Sequence, residues 1–251
     1  CPVVITLHDL SFIRFPNLFR PAKRLYLTLM TRISAQKASR LIAVSSFTAA
    51  EATRLLGVSR DDIDVVYHGL RSSFHPLLNG DVDKYRSRRG LPEKFILFVG
   101  TLEPRKNLIN LVRAFARVRN RDTRLVIAGG KGWLYEELFA EVEQLGLTRE
   151  IIFLGYVADE ELPLLYNAAE MLAYPSIYEG FGLPVLEAQS CGTPVLCSDS
   201  SSLPEAAGEG AVTVDTSSVD ALADGLHKLL TDETLRSQMR QRGFDHASQF
   251  N

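Results

Sequence analysis

Short runs of apolar, largely β-branched residues alternate along the chain with longer stretches in which apolar positions recur every three or four residues. In the first part, runs at 3–7, 41–44 and 64–67 predict three strands, and periodic stretches at 21–39 and 47–56 predict two helices between them. Ser45 or Ser46 is suited to cap the second helix. Strand and helix therefore alternate here, as they do in a parallel sheet.

A second alternation follows a segment without periodicity. The pattern divides the chain into a first unit at 1–70, a linker at 71–93, a second unit at 94–232 and a terminal helix at 233–251. The second unit is predicted to contain strands at 95–99, 124–128, 151–154, 171–174, 194–198 and 212–214. Its predicted helices lie at 108–119, 133–145, 160–167, 183–191 and 219–230, and the terminal helix covers 233–250. Such alternation is typical of an α/β fold with a parallel sheet covered on both faces.

The composition narrows the class of protein. The 251 residues are 46% apolar and 23% charged, with a formal net charge of −2, so we expect a globular protein without a general attraction to nucleic acid. The three cysteines Cys1, Cys191 and Cys197 lack C-x-x-C spacing, which favours a reducing, cytoplasmic location. Both termini lie within predicted elements, so we expect the sequence to be a fragment.

Four loops that follow predicted strands carry unusual residues. They read "GTLEPRKN", "GGKGW", "GYVADEE" and "PSIYEGFG", and in doubly wound sheets ligands bind at this carboxyl end of the strands. Arg105 and Lys106 lie just before a predicted helix, where two cations and free N–H groups suit a diphosphate. The alternative is a solvated pair of charges. The "GGKGW" loop lacks both G-x-G-x-x-G and the Walker pattern, so we interpret it as a tight turn.

Two glutamates lie eight positions apart in "PSIYEGFGLPVLEAQSCGTPVLCSD". Gly180 and Gly182 allow the backbone to approach a ligand, and Pro184 is tolerated in the first turn of a helix. Glu179 is therefore predicted in the loop and Glu187 on the helix. Carboxylates accept hydrogen bonds from vicinal hydroxyls, which favours a sugar and a ribose as ligands. The alternative is that Glu179 only complements the helix dipole and Glu187 is solvated.

The segments "EPRKNL", "FLGYVADEELPLLYNAAEMLAYPSIYEGFGLPVLEAQSCGTPVLCSD" and "SSLPEAAGEGAV" together resemble the retaining nucleotide-sugar glycosyltransferases of family 4, the glycosyl transferases group 1. The centre of the resemblance is the E-x7-E signature from Glu179 to Glu187, and the likeness covers essentially the whole chain. It implies the GT-B fold, with two Rossmann-like parallel-sheet domains. Residues 1–70 would be the remainder of an incomplete amino-terminal, acceptor-side domain, and 94–232 the nucleotide-sugar-binding domain.

The resemblance also implies roles for single residues. Arg105 and Lys106 match the basic pair that holds the donor diphosphate, and Glu187 matches the acid that binds the ribose hydroxyls. Glu179 and His8 match two residues beside the transferred sugar and are the expected catalytic residues; the alternative for His8 is a hydrogen-bonded histidine at a strand end without a catalytic role. The other expected donor-binding positions are Gly155, Tyr156, Val157, Phe181, Gly182 and Leu183. Many relatives carry an arginine directly after the strand-end glycine, where this chain has Thr101.

The resemblance therefore implies transfer of a sugar from a nucleoside diphosphate sugar to a hydroxyl of a glycan or lipid-linked acceptor, with retention. GDP-mannose is the first candidate donor. No cofactor and no metal are expected, and the D-x-D patterns at 62–64 and 81–83 lie away from the predicted site loops. The alternative is a non-catalytic nucleotide-sugar-binding or scaffold module. An oxidoreductase is disfavoured because G-x-G-x-x-G is missing.

Residues 14–40 are strongly basic. No acid occurs from 11 to 50, whereas the stretch contains seven bases: Arg14, Arg20, Lys23, Arg24, Arg32, Lys37 and Arg40. A basic amphipathic segment of this kind suits peripheral contact with an anionic membrane, here the inner face of the plasma membrane. The alternative is a solvated helix face packed on its sheet. No apolar run approaches the length that a membrane span needs.

Overall fold

The computed structural model describes residues 2–119 and 122–250, which form two parallel sheets. Cys1 and Asn251, which the sequence predictions include, lie outside these residues. Among the described residues no helix is both long and apolar enough to cross a membrane. Cys191 and Cys197 are buried free thiols.

The first sheet has the strand order β1-β2-β3 and parallel pairing throughout. Its elements are β1 Val4–Leu7, α1 Ser11–Arg14, α2 Pro21–Lys37, β2 Arg40–Ala43, α3 Ser46–Leu56 and β3 Ile63–Val65. Helix α3 begins where predicted because the Ser45 hydroxyl accepts a hydrogen bond from the Thr48 backbone N–H at 2.9 Å. It ends at Gly57, whose φ of 71° suits glycine.

The second sheet has the order β6-β5-β4-β7-β8-β9, again with parallel pairs. Its strands are β4 Lys94–Val99, β5 Thr123–Ala128, β6 Ile151–Gly155, β7 Met171–Tyr174, β8 Val195–Ser198 and β9 Ala211–Val214. Its helices are α5 Leu108–Val118, α6 Glu136–Gln144, α7 Leu162–Ala168, α8 Leu183–Ser190, α9 Leu203–Ala207, α10 Val219–Thr231 and α11 Glu233–Ala247. The central strands are buried on both faces, which explains their continuous apolar sequences.

The segment 71–93 is not the irregular stretch that its composition predicts. It contains helix α4, Asn79–Arg89, which buries Val82 and Tyr85 and packs against α7. The helix escaped the sequence analysis because only two of its eleven residues are buried, so its apolar periodicity is weak. Helix α6 also begins later than predicted, since Leu134 has a φ of 54°, outside the helical region.

The order of the second sheet reverses between β4 and β7. The chain goes from β4 outward to β5 and β6, and then returns to the other side of β4 as β7. The carboxyl ends of β4 and β7 therefore form the switch point of the sheet, where doubly wound sheets have their ligand crevice.

The first unit packs against the loop that follows β7. The Ser45 and Thr48 hydroxyls both donate hydrogen bonds to the Gly180 carbonyl, at 2.6 Å and 3.0 Å. A Cβ atom placed on Gly180 would lie 1.7 Å from the His8 carbonyl oxygen. Only glycine therefore allows this close approach of the two backbones.

Candidate functional site

Charged side chains meet at this switch point, between the loops after β4 and β7. Glu179 accepts hydrogen bonds from Arg105 Nη1 at 2.8 Å on Oε2 and from Lys106 Nζ at 2.6 Å on Oε1. The Tyr174 hydroxyl, at the end of β7, donates to the same Oε1 at 3.0 Å. Glu103 pairs with Arg105 Nε at 2.5 Å. Both predicted cations are thus paired with the first acid of the signature.

We call Glu103, Arg105, Lys106 and Glu179 the ionic cluster. Burial strongly affects the pKa values of its members. Glu179 is 7% exposed and Lys106 6% exposed. Burial alone would raise the pKa of Glu179, but Lys106 and Arg105 outweigh it and hold this pKa below its usual range. Burial lowers the pKa of Lys106, and the attraction of Glu179 offsets it only in part. With all four groups ionised, the formal charges of the cluster cancel.

The backbone around the cluster explains how its residues reach one another. Arg105 and Lys106 lie on a short 3₁₀ turn, Pro104–Lys106, rather than on a helix, and Asn107 follows with a φ of 57°. On the other side of the crevice, Gly182 has a φ of 124° and directly precedes α8, whose first turn contains Pro184. The structure therefore places Glu179 in the loop and Glu187 on the helix, as the sequence predicts.

Glu187 lies in a different environment. Its Oε2 accepts a hydrogen bond from the Tyr166 hydroxyl at 2.8 Å. Burial raises the pKa of Glu187, although the Tyr166 hydrogen bond opposes the shift. A carboxylate offers about four lone-pair positions, so most of the acceptor capacity of Glu187 is open to a ligand.

His8 lies at the end of β1, and its ring stacks on that of His68 with centroids 5.6 Å apart and planes 10° from parallel. The His68 ring is 5.5 Å from that of Phe181, on the glycine-rich loop. Burial lowers the pKa of His68, and the neighbouring His8 adds to the shift. Sequence reasoning missed His68, although its place directly after the predicted strand 64–67 was a signal.

The other predicted donor-binding positions differ in how far their side chains are exposed. Gly155 ends β6 with a φ of 68°, and Tyr156 after it is 76% exposed, whereas Val157 is buried in the core. Phe181 is also buried, stacked on Tyr67 of the first unit with centroids 5.7 Å apart. Of these side chains, Tyr156 is therefore the one that is free to contact a ligand.

The D-x-D patterns lie outside the crevice. Asp64, in the first pattern, forms a surface ion pair with Arg40 at 2.6 Å. Asp81 and Asp83, in the second, pair with bases one helical turn away on α4. Within residues 2–119 and 122–250, we find no group of three or more His, Cys, Asp or Glu side chains that could hold a metal ion.

Two family models cover nearly the whole chain. The model of the glycosyl transferases group 1 matches residues 81–246, and that of glycosyltransferase family 4 matches residues 1–74. The chain belongs to the glycosyl transferases group 1. This confirms the resemblance that centres on the E-x7-E signature.

Individual relatives agree with this assignment. The O-antigen chain mannosyltransferase B of Escherichia coli is 36% identical over 253 residues, which cover 98% of this chain and 66% of that protein. A D-inositol 3-phosphate glycosyltransferase of Corynebacterium aurimucosum is 33% identical over 268 residues, 99% of this chain and 62% of that protein. The chain thus spans about two thirds or less of the length of these curated relatives.

Solved structures agree on the fold. Anabaena Alr3699/HepE in complex with UDP-glucose has a TM-score of 0.84 and 25% identity, over 99% of this chain and 68% of that one. The sucrose-phosphate synthase of Thermosynechococcus elongatus has a TM-score of 0.84 and 24% identity, over 98% and 63%. The predicted GT-B fold is therefore confirmed.

Proposed function

We propose that this chain carries the donor site of a glycosyltransferase that moves a sugar from a nucleoside diphosphate sugar to a hydroxyl of a glycan or lipid-linked acceptor. The observation that carries the proposal is the ionic cluster at the switch point of the sheet. Glu187 lies on α8, the helix that follows the loop with Glu179. Cations for a diphosphate and a carboxylate for a ribose thus share one crevice.

The proposed donor lies along the carboxyl edge of the second sheet. Its ribose hydroxyls donate to the open lone pairs of Glu187, and the exposed Tyr156 ring is available to the base. Its diphosphate reaches Lys106 and Arg105 and the start of α8. The sugar then lies between Glu179 and His8, the two predicted catalytic residues.

In the proposed reaction, the bond from the anomeric carbon to the β-phosphate oxygen breaks and negative charge grows on the leaving phosphate. Arg105 and Lys106 stabilise that charge without a metal. In the resting site both cations are paired with Glu179. Because the charge on the phosphate grows as the bond breaks, its attraction to these two cations is strongest in the transition state.

We propose retention by a front-face substitution, in which the departing phosphate oxygen accepts the proton of the attacking hydroxyl. Both oxygens of Glu179 already accept hydrogen bonds, from Arg105 on one side and from Lys106 and Tyr174 on the other. A carboxylate held in this way is suited to positioning its neighbours rather than to attacking carbon. Glu179 is therefore proposed as a positioning and electrostatic residue.

This mechanism predicts a split between two variants of the cluster. Glu179→Ala should lower turnover more than donor affinity, whereas Lys106→Ala should damage both, because Lys106 is proposed to touch the diphosphate throughout. Turnover is measured in a protein that contains this chain, and the anomeric configuration of the product is determined by NMR. Equal, small effects from the two variants, or an inverted product, would contradict the mechanism.

The donor site itself is tested by calorimetric titration of this chain in EDTA with GDP, UDP and ADP and with their sugars. GDP-mannose is the proposed donor, supported by the relative named a mannosyltransferase. One nucleotide series should bind, and Glu187→Ala should weaken it by roughly 10–100-fold, since a hydrogen bond to a charged group contributes about 1.5–3 kcal/mol. Glu141→Ala, which removes an ion pair with Arg113 on a helix surface, is the matched control. Binding unchanged in Glu187→Ala would contradict the ribose role of Glu187, and no binding by any nucleotide would favour the scaffold alternative.

We also propose peripheral contact of 14–40 with an anionic membrane. Helix α2 exposes several large apolar side chains among its bases: Leu25, Tyr26, Leu29, Met30 and Ile33. Apolar side chains flanked by lysines and arginines suit the boundary of an anionic bilayer. The chain should float with vesicles that contain phosphatidylglycerol and not with pure phosphatidylcholine, and the double variant Leu25→Ser/Leu29→Ser should lose the binding. Equal flotation with both lipids would contradict the proposal.

A further inference from the structure

A groove of about 680 Å³ separates the segment after α1 from the loop after β5. One wall comes from residues 17–23 of the first unit and the other from residues 132–136 of the second. The groove is distinct from the proposed donor site, since neither the ionic cluster nor Glu187 lines it.

Aromatic rings form much of the second wall. Trp133, the one tryptophan of the sequence, is 37% exposed, and its ring lies 6.0 Å from that of Phe19 at an angle of 48°. Tyr135 lies beside them in the lining, where the Lys131 ammonium sits 5.1 Å from its ring centroid and its ring packs edge-on against Phe139. The Trp133 ring is thus held by its contact with Phe19, and the Tyr135 ring by its contacts with Lys131 and Phe139.

The first wall, which carries Phe19, also contributes polar groups. Asn17, Arg20 and Lys23 line the groove and are exposed, and within the described residues their side chains form no hydrogen bond or ion pair. They supply amide and cationic donors, together with one amide acceptor. Ring faces for the C–H side of a sugar, opposed by donors for its hydroxyls, are suited to carbohydrate rather than to a purely apolar ligand.

The loop of the second wall is joined to the loop that carries Arg105 and Lys106. The Leu102 N–H donates to the Gly130 carbonyl at 3.0 Å, and the Gly132 N–H donates back to Leu102 at 3.1 Å. A Cβ on Gly132 would lie 2.7 Å from the Leu102 carbonyl oxygen, so only glycine allows this approach. The groove consequently lies next to the ionic cluster, on the same carboxyl edge of the sheet and between the two units.

We propose that this groove binds a saccharide unit of the acceptor, next to the proposed donor site. The proposal rests on the proposed function and deepens it, because it makes the acceptor a glycan whose sugar is recognised by Trp133 and Phe19. The lining carries two bases, Arg20 and Lys23, against one acid, Glu136, which also favours a neutral or anionic saccharide over a cationic one.

The chain offers a direct test, because every tryptophan signal comes from Trp133. Mannobiose, mannotriose and mannotetraose, with maltotetraose as a differently linked comparison, are titrated against this chain while Trp133 emission and the heat of binding are recorded. We expect a saturable change in both signals. Phe19→Ala should weaken the affinity about tenfold, since it removes an aromatic contact and its buried area. Phe244→Ala, an exposed aromatic on α11, is the matched control.

A nucleotide titration of the same samples separates the two proposals. Nucleotide binding without any saccharide binding overturns the groove and leaves the donor site standing. Saccharide binding that is equally strong in Phe19→Ala and Phe244→Ala also overturns the groove. Saccharide binding that Phe19→Ala weakens, without nucleotide binding by the wild type, supports the groove and contradicts the donor site.

Discussion

The two ends of the glycine-rich signature segment hold the same type of side chain in opposite electrostatic states. Glu179 accepts hydrogen bonds from two cations and a tyrosine, and although burial would raise its pKa, Lys106 and Arg105 hold that pKa below the usual range. Glu187 has one neutral hydrogen-bond donor, Tyr166, and its burial raises its pKa. Glu179 and Glu187 are only eight positions apart, yet both oxygens of Glu179 have charged partners, whereas Glu187 has open acceptor positions.

The difference suggests that Glu179 and Glu187 have different roles. A carboxylate already satisfied by charges can hold cations in place but has little capacity left for a ligand, whereas one with open lone pairs can gain hydrogen bonds when a ligand arrives. In the proposed site, Glu179 therefore organises the groups around the sugar and phosphate, and Glu187 receives the ribose.

The largest predicted loss of stability comes from removing the Glu179 carboxylate. Glu179→Ala leaves the buried Lys106 ammonium without a carboxylate partner, and such uncompensated charges cost about 3–5 kcal/mol. Lys106→Ala should cost less, about 1–3 kcal/mol, because Glu179 keeps Arg105 and Tyr174. Urea denaturation gives both free energies of unfolding.

The control for this pair is Asp64→Ala, which removes a surface ion pair with Arg40 and should cost less than about 1 kcal/mol. If Lys106→Ala destabilised the chain as much as Glu179→Ala, the claim that Glu179 is the principal partner of a buried cation would be wrong.

The next effect concerns the backbone between the two glutamates. Gly180→Ala should destabilise the chain by about 1–3 kcal/mol, because the new Cβ would overlap the His8 carbonyl oxygen and the two units must shift apart. The matched control is Gly130→Ala, which adds a Cβ into open space. Denaturation measures the cost, and small-angle scattering should report a larger radius of gyration for Gly180→Ala alone. An unchanged stability would show that the contact between the units is not close in solution.

A third glutamate, Glu205, allows a further comparison, with a smaller predicted effect on stability. Glu205, on α9, accepts hydrogen bonds from Ser46 N, Phe47 N and the Tyr67 hydroxyl, at 2.8, 3.2 and 2.7 Å. Burial opposes ionisation, but these donors outweigh it and lower the pKa of Glu205. Several neutral donors thus achieve what the single donor of Glu187 does not.

Glu205→Gln should therefore cost about 1 kcal/mol at neutral pH, the usual contribution of a helix cap. A lowered carboxylate pKa adds stability above the unfolded-state pKa, and this contribution is lost as the pH falls through the folded-state value. The difference between variant and wild type should accordingly shrink on acidification. A difference that stays constant with pH would contradict the role of the ionised carboxylate.

The smallest predicted effect concerns Glu187, whose contribution to stability changes with pH in the opposite direction to that of Glu205. Because the pKa of Glu187 is raised on folding, the wild type loses stability as the pH rises from the ordinary carboxyl range through the raised value. Glu187→Gln keeps an acceptor for Tyr166 and cannot ionise. Thermal denaturation should find it less affected by this rise in pH, so that it gains relative to the wild type. A relative loss with rising pH would mean that Glu187 is stabilised as an anion.

Much of the fold could be predicted because its strands are buried on both faces and read as continuous apolar runs. Helix α4 could not, since two buried residues give too weak a period. The 3₁₀ turn at Pro104–Lys106 also escaped prediction, because local sequence does not distinguish it from an early helix start.

At the candidate site, the motifs point to Arg105, Lys106, Glu179 and Glu187, but not to their partners. Tyr174 and Tyr166 read as ordinary core residues of a strand and a helix, and only the packing of β7 and α7 against the signature segment brings their hydroxyls to the glutamates. The pairing of both cations with Glu179, rather than with a ligand, likewise depends on contacts more than 70 positions apart along the chain.

The most direct test of the account is an NMR titration of the glutamate side-chain carboxyl carbons of this chain, with Glu179→Gln and Glu187→Gln used to assign the two signals. We expect Glu179 to titrate below the ordinary range of glutamate and Glu187 above it. Two midpoints within the ordinary range, or the reverse order, would contradict the opposite roles assigned to the two ends of the signature.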